Sequence, residues 1–337
     1  MKFLLISTGG TIASVASEKG LVPALTGEKL LEFCPLLMGF EHDVEIVDLF
    51  SEDSSNINPA DWLKMAACIS SSDSDAVILL HGTDTMAWTA TALSYLLPGA
   101  EMPVVLTGST MPPGELASDA SGNIYAAFQF GLQLAMYKRK GVSVAFADIL
   151  IHGPKCTKLD SHRKKAFESV DYPLLGEMTY RGSHKVAWLT PHTPQIYGNG
   201  PWLGGAGDPK FETDIALVPI FPGIKAAWLD AIVAIAPKAV VLEGYGLGGV
   251  PFIGENLLEP IKKGIASGIP FVLRTQSPLG GTDPSIYEVG RNALDLGVIS
   301  AQNMTREALL VKLMLLLPVL GGKKLKENIY SSLCDDV

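Results

Sequence analysis

Short apolar runs alternate with longer stretches of helical periodicity through most of the chain. The runs at 3–7, 44–49, 76–80, 103–107 and 142–147 have the length of strands. Ala76-Val77-Ile78-Leu79-Leu80 is apolar at every position, which predicts a parallel strand buried on both faces. Helices are expected at 59–69, 87–97 and 123–137, the first opened by Pro59 at a first-turn position. Such regular alternation predicts an α/β fold with a mostly parallel sheet and helices on both faces.

Between about 190 and 213 the pattern gives way to Pro, Gly, His and Asn with little periodicity. Beyond it the alternation resumes, with strands expected at 215–220, 239–243 and 270–274. Helices are expected at 225–235, 255–267, 305–317 and 323–333. The expected organisation is a larger N-terminal α/β domain at 1–189, a linker at 190–213 and a smaller C-terminal α/β domain at 214–337.

Composition narrows the function classes. The 337 residues are 47% hydrophobic, enough for two cores, and 18% charged, which argues against disorder. A formal net charge of −9 and the lack of a long Lys/Arg cluster exclude nucleic-acid binding as the main role. Cys34, Cys68, Cys156 and Cys334 form no C-x-x-C pair, so neither a zinc knuckle nor a disulfide framework is expected. The histidines are isolated and no H-E-x-x-H occurs, so no metal site is expected. The run at 3–7 is too short for a signal peptide, and Lys312 and Pro318 interrupt the apolar stretch 308–320. These features predict a soluble, cytoplasmic protein with no membrane span.

The candidate chemistry gathers at strand ends, where open α/β sheets bind ligands. The run 76–80 leads into His81-Gly82-Thr83-Asp84-Thr85-Met86 and then a helix. This turn offers a hydroxyl, a carboxylate and helix-start N–H groups that favour negative charge. The same residues are also ordinary helix caps, so the turn alone leaves both readings open. The first strand ends in Ser7-Thr8-Gly9-Gly10-Thr11-Ile12-Ala13-Ser14, where paired glycines allow a sharp turn and close approach to a ligand. A third polar cluster, Asp53-Ser54-Ser55-Asn56, follows the strand at 44–49. Lys158 follows the strand-like segment near 142–150 and is the lysine whose placement suggests a site. Gly244-Tyr245-Gly246-Leu247-Gly248-Gly249 has G-x-G-x-x-G spacing, but Pro251 follows where a helix should start. The next strand ends at Arg274 and offers no acidic residue for a ribose, so a strand-end loop is expected there rather than a dinucleotide site.

Thr8-Gly9-Gly10-Thr11-Ile12-Ala13 and His81-Gly82-Thr83-Asp84-Thr85-Met86 together resemble the paired signature of the bacterial L-asparaginases. The lack of a signal-peptide pattern and the cluster at 53–56 resemble most the cytoplasmic, type I branch. The similarity runs over nearly the whole chain. It implies hydrolysis of L-asparagine to L-aspartate and ammonia without a cofactor. It also implies homodimers or homotetramers with active sites at the junction of two subunits. Carried over by position, Thr11 supplies the hydroxyl that attacks the side-chain amide carbon. Thr83, Asp84 and Lys158 form a second, triad-like group. Asp84 also takes the substrate's α-amino group, Ser54 and Ser55 its α-carboxylate region, and Gly10 and Gly82 complete the substrate-binding set.

A threonine hydroxyl needs a neighbouring base, and a lysine serves only if its free pKa of about 10.4 is lowered. Asp84 pulls the other way, which leaves a water relay open, and turn N–H groups are the candidates for oxyanion stabilisation. One departure stands out. Members of the family carry a tyrosine on the loop after the first motif, where this chain has Leu21, and no tyrosine occurs before Tyr95. The loop resembles that of the archaeal glutamyl-tRNA amidotransferase subunit sharing this fold, which is the alternative enzyme reading. A non-catalytic amino-acid-binding protein is the alternative from another class, although binding alone would not require the lysine.

Overall fold

The computed structural model describes residues 1–17, 20–98, 100–179, 185–189 and 209–337. They fall into two compact units, Met1–Gly198 with Leu333–Asp335 and Asn199–Ser332 with Asp336–Val337. Of the expected linker, residues 190–208 lie outside the described residues.

In chain order the first unit contains β1 (Lys2–Gly9), β2 (Ser14–Ser17), β3 (Gly20–Pro23), α1 (Gly27–Glu32), β4 (Asp43–Glu52), α2 (Pro59–Ser70) and β5 (Ala76–Leu80). It continues with α3 (Met86–Leu96), β6 (Pro103–Thr107), α4 (Ala120–Met136), β7 (Gly141–Phe146) and β8 (Ile149–His152). The hairpin strands β9 (Cys156–Lys158) and β10 (Phe167–Ser169), then β11 (Gly176–Thr179) and β12 (Lys185–Trp188), complete it. The main sheet has the order β12-β11-β8-β7-β6-β5-β1-β4. From β4 to β7 all neighbours are parallel.

The all-apolar run at 76–80 is central and buried at every position, as expected. Phe3, Leu5, Ile78 and Val105 face α4 in one core cluster. Leu4, Ile6, Val77 and Leu79 point the other way and are equally buried. β4, at the sheet edge, alternates half-buried and exposed positions. Asn58 and Asp61 close a capping box ahead of Pro59, which fixes the start of α2.

The far edge departs from the parallel expectation, because β8, β11 and β12 are antiparallel additions. Ala147 (φ 47°) and Asp148 (φ 68°) turn the chain tightly between β7 and β8. Ala-Asp is not the glycine-bearing dipeptide that marks such turns, so the pattern concealed it. The β2–β3 pair is likewise a short antiparallel hairpin that the pattern did not predict.

The second unit carries a parallel sheet ordered β13 (Ile215–Pro219), β14 (Ala239–Gly244), β15 (Phe271–Thr275) and β16 (Ile299–Ser300). Its helices are α5 (Ala226–Ile235), α6 (Leu258–Ala266), α7 (Glu288–Asp295) and α8 (Arg306–Asn328). Two helices were expected at 305–317 and 323–333. α8 is indeed two helical pieces: the first runs past Pro318 to a kink at Gly321 (φ 62°, ψ 171°), and the second stops at Asn328. No described helix is long and apolar enough to cross a membrane. Lys312 on α8 is fully buried and donates to Asp336 Oδ2 at 2.8 Å and to the Ser331 carbonyl at 2.9 Å. Glu243, at the end of β14, is buried between Arg274 and Arg306, which donates to it from Nε at 2.7 Å.

Candidate active site

Parallel register sets the site. Ser7 of β1 lies beside both Asp48 of β4 and Leu80 of β5, so the turns after these strands leave the sheet at one edge. The turns touch through backbone. A Cβ on Gly10 would lie 2.2 Å from the Gly82 Cα, and one on Gly82 would lie 2.6 Å from Ser54 Oγ. Gly10 also holds φ at 77°, a region that side chains disfavour. Only glycines let these turns approach so closely. The Gly10 N–H donates to the Glu52 carbonyl at 2.8 Å, and Thr85 Oγ1 donates to the Ser54 carbonyl at 2.7 Å.

Thr11 opens a short 3-10 turn and is half-buried. Among the described residues nothing partners its hydroxyl. Leu21, on β3, is 50% exposed. Lys158 Nζ donates to Thr83 Oγ1 at 2.9 Å and to Asp84 Oδ1 at 2.6 Å. Thr83 is buried, whereas the Asp84 side chain is 63% exposed and open to a ligand. Lys158 ends β9, and the hairpin pairing of Lys158 with Phe167 carries it to the threonine.

The capping reading of residues 83–85 does not survive. Thr85 precedes α3 without a side-chain cap bond, and the three side chains bond to Ser54 and Lys158 instead. At 53–56 the capping signal is real. Asp53 Oδ1 accepts from the Ser55 N–H at 2.9 Å and from the Ser55 hydroxyl, and these bonds hold the Asp53 carboxyl below its ordinary range. Ser55 is exposed with its hydroxyl engaged in this way, while Ser54 is buried against Gly82.

Three residues that sequence reasoning passed over also shape the site. Asp119 accepts from the N–H groups of Thr110 (3.0 Å) and Met111 (3.1 Å), and Asn123 Nδ2 donates to the Gly108 carbonyl at 2.9 Å. A Cβ on Gly108 would meet the His81 carbonyl at 2.4 Å and Thr83 Cγ2 at 3.4 Å, so this loop braces the second motif. An Asp and an Asn four apart at a helix start were the available signal. His81 itself has no exposed surface, and burial lowers its pKa to about 4, leaving the imidazole neutral.

The G-x-G-x-x-G segment is a closed loop in the second unit, with Tyr245 accepting from Gly248 and Gly249. It borders an apolar cavity of about 380 Å³ with Pro251, Pro284 and Tyr287. No helix starts there, and α6 begins only at Leu258, so the dinucleotide reading has no support.

Comparisons with known proteins agree with this layout. Residues 2–191 match the family described as Asparaginase, N-terminal, and residues 214–326 match the Glutaminase/Asparaginase C-terminal domain. An L-asparaginase of Thermococcus kodakarensis is 39% identical over 316 residues, 93% of this chain and 92% of its own. A glutamyl-tRNA(Gln) amidotransferase component from Methanopyrus kandleri is 33% identical over 332 residues, 93% of this chain and 69% of its own. Among solved structures, the thermostable L-asparaginase from Thermococcus kodakarensis superposes with a TM-score of 0.87 at 33% identity, covering 100% of this chain and 99% of that one. L-asparaginase I from Vibrio cholerae gives 0.80 at 29% identity, covering 100% and 98%.

Proposed function

Because the chain belongs to the asparaginase/glutaminase family, we propose that it is an amidohydrolase converting L-asparagine to L-aspartate and ammonia. The observation that carries this reading is the pair of bonds from Lys158 Nζ to Thr83 and Asp84, beside the turn that holds Thr11. In the proposed reaction the Thr11 hydroxyl attacks the side-chain amide carbon and its proton passes to the Thr83–Lys158–Asp84 group, directly or through water. The proton is delivered to the departing nitrogen, ammonia leaves, and water attacks the resulting ester to release aspartate and restore the hydroxyl. Asp84 takes the α-ammonium, for which its exposed carboxylate is suited, and Ser54, Ser55, Gly10 and Gly82 line the α-carboxylate region.

The amidotransferase reading is weaker, because the chain is 33% identical to that relative and 39% identical to the L-asparaginase. Ammonia release decides between them. The purified protein alone is expected to release ammonia from asparagine far faster than from glutamine. Turnover that appears only with charged tRNA and a partner protein favours the amidotransferase, and binding without turnover favours the amino-acid binder.

We also place the chain in the cytoplasmic, type I branch, a reading supported by its likeness to L-asparaginase I from Vibrio cholerae and to a probable cytoplasmic L-asparaginase from Campylobacter jejuni (TM-score 0.79, 25% identity). The likeness to the archaeal L-asparaginase of Thermococcus kodakarensis is greater than to either of these two. A homodimer or homotetramer is proposed on the same grounds. Trp228 (64% exposed), Ile235 (75%) and Ile253 (83%) leave apolar surface for such an association. Light scattering of the purified chain is expected to give at least a dimer mass.

A further inference from the structure

His81 heads the motif around which the site is built, yet the proposed reaction gives it no task. Its surroundings form a closed chain of hydrogen bonds. Trp62 Nε1 lies 3.1 Å from Thr89 Oγ1, Thr89 Oγ1 lies 2.9 Å from His81 Nε2, and His81 Nδ1 lies 2.7 Å from the Gly82 carbonyl. The direction is fixed at both ends, because an indole N–H only donates and a carbonyl only accepts. Trp62 therefore donates to Thr89, Thr89 donates to Nε2, and Nδ1–H donates to Gly82. All three side chains are buried, so water does not compete for these bonds.

We propose that His81 is a positioning residue, whose ring fixes the Gly82–Thr83 peptide and thereby the two side chains that Lys158 bridges; this rests on the reading of the site given above. Position 82 must be glycine, because a Cβ there meets Ser54 Oγ at 2.6 Å. Glycine is also the least restrained residue, and Thr83 follows it directly. A bond on the Gly82 carbonyl removes that freedom. Since the peptide is planar and trans, a carbonyl held against the imidazole turns the Thr83 N–H away from it. Among the described residues nothing accepts that N–H, which leaves it to meet negative charge on a substrate.

A His81 that merely fills the core would tolerate an apolar replacement wherever the protein still folds. The test uses His81→Leu, His81→Asn and Thr89→Val in the full chain. It reads kcat and KM for ammonia release from asparagine and, separately, the Thr83 amide peak in a substrate-free ¹H–¹⁵N spectrum. In His81→Leu kcat is expected to fall about tenfold to a hundredfold, the scale of a lost buried hydrogen bond, with KM changed less than about threefold. His81→Asn, whose side-chain amide reaches the carbonyl from roughly the Nδ1 position, should recover most of that loss. The Thr83 peak should move in His81→Leu and return towards its place in His81→Asn. A folded His81→Leu with wild-type kcat, an Asn variant no better than Leu, or an unmoved Thr83 peak overturns the proposal. If His81→Leu does not fold, Thr89→Val carries the test: loss of kcat with a shifted Thr83 peak supports it, and wild-type behaviour in both overturns it. Absence of ammonia release by the wild type would sink the asparaginase reading alone, because the Thr83 peak still decides the role of His81.

Discussion

Lys158 holds Thr83 and Asp84 with one ammonium, and the two partners differ in what they leave available. Only Oδ1 of Asp84 is engaged among the described residues, so Oδ2 can meet a substrate ammonium. Asp84→Asn removes that charge, and asparagine binding should weaken roughly tenfold or more, the scale of a charged hydrogen bond; calorimetric titration reads it. Lys158→Met should instead lower kcat by about a hundredfold or more while moving binding less, since proton transfer is what it loses. His81 leads to a pH prediction. Its pKa is lowered to about 4 by burial, against about 6.5 in an unfolded chain. Between these values the unfolded state binds the extra proton, so stability falls as pH drops from about 6.5 to about 4 and is flat in this respect below. The contribution is on the order of 3 kcal/mol at full extent. Urea unfolding at pH 7 and pH 4.5 should show the loss in the wild type and a smaller one in His81→Asn.

At the level of elements, the β2–β3 hairpin follows Thr11 and presents Leu21 half-exposed. If Thr11 depends on the lysine group, Thr11→Ala and Thr83→Ala should each lose about a hundredfold or more in kcat, whereas Leu21→Tyr should change it only modestly. A hundredfold gain from Leu21→Tyr would mean that the native site lacks a group it needs. Gly10→Ala tests the contact between turns: its Cβ would fall 2.2 Å from the Gly82 Cα at a φ of 77°, so the backbone must move. Activity should collapse even where circular dichroism shows a folded chain. The central strands were legible because their burial is complete, as in the unbroken apolar run 76–80. The second motif pointed to Thr83 and Asp84, and the placement of Lys158 after a strand pointed to the lysine that bonds to both. The sequence did not show that Lys158 reaches Thr83 by way of a hairpin, since β9 is three residues long and its partner β10 lies eleven positions from the lysine at its far end. The antiparallel edge escaped for a related reason: Ala147 and Asp148 adopt positive φ without glycine, which no local pattern reveals. Nor did the pattern foresee that the first piece of α8 runs past Pro318 before it kinks at Gly321.

For the molecule as a whole, two ionic clusters, each around a buried carboxylate, anchor the second unit. Lys312 and Asp336 are both without exposed surface. Lys312→Met would strand a buried carboxylate and should cost about 3–5 kcal/mol in denaturant unfolding, while adding Asp336→Leu should restore much of the loss. Glu243 and its two arginines tie the ends of β14 and β15 to the start of α8 in the same manner. In the first unit the central position of β1 has a consequence in time. Lys2 pairs with Asp43 on one side and Phe3 pairs with Ala76 on the other, so both neighbours come from later in the chain and across long connections. Parallel pairings of this kind form slowly, because loop closure precedes the contacts that reward it. The turn bearing Thr11 is held by Glu52 and pressed against Gly82, and it gains its shape only when both neighbouring strands have docked. During refolding from urea, therefore, enzymatic activity should return with the slowest phase of sheet formation, after the bulk of the helical signal has recovered.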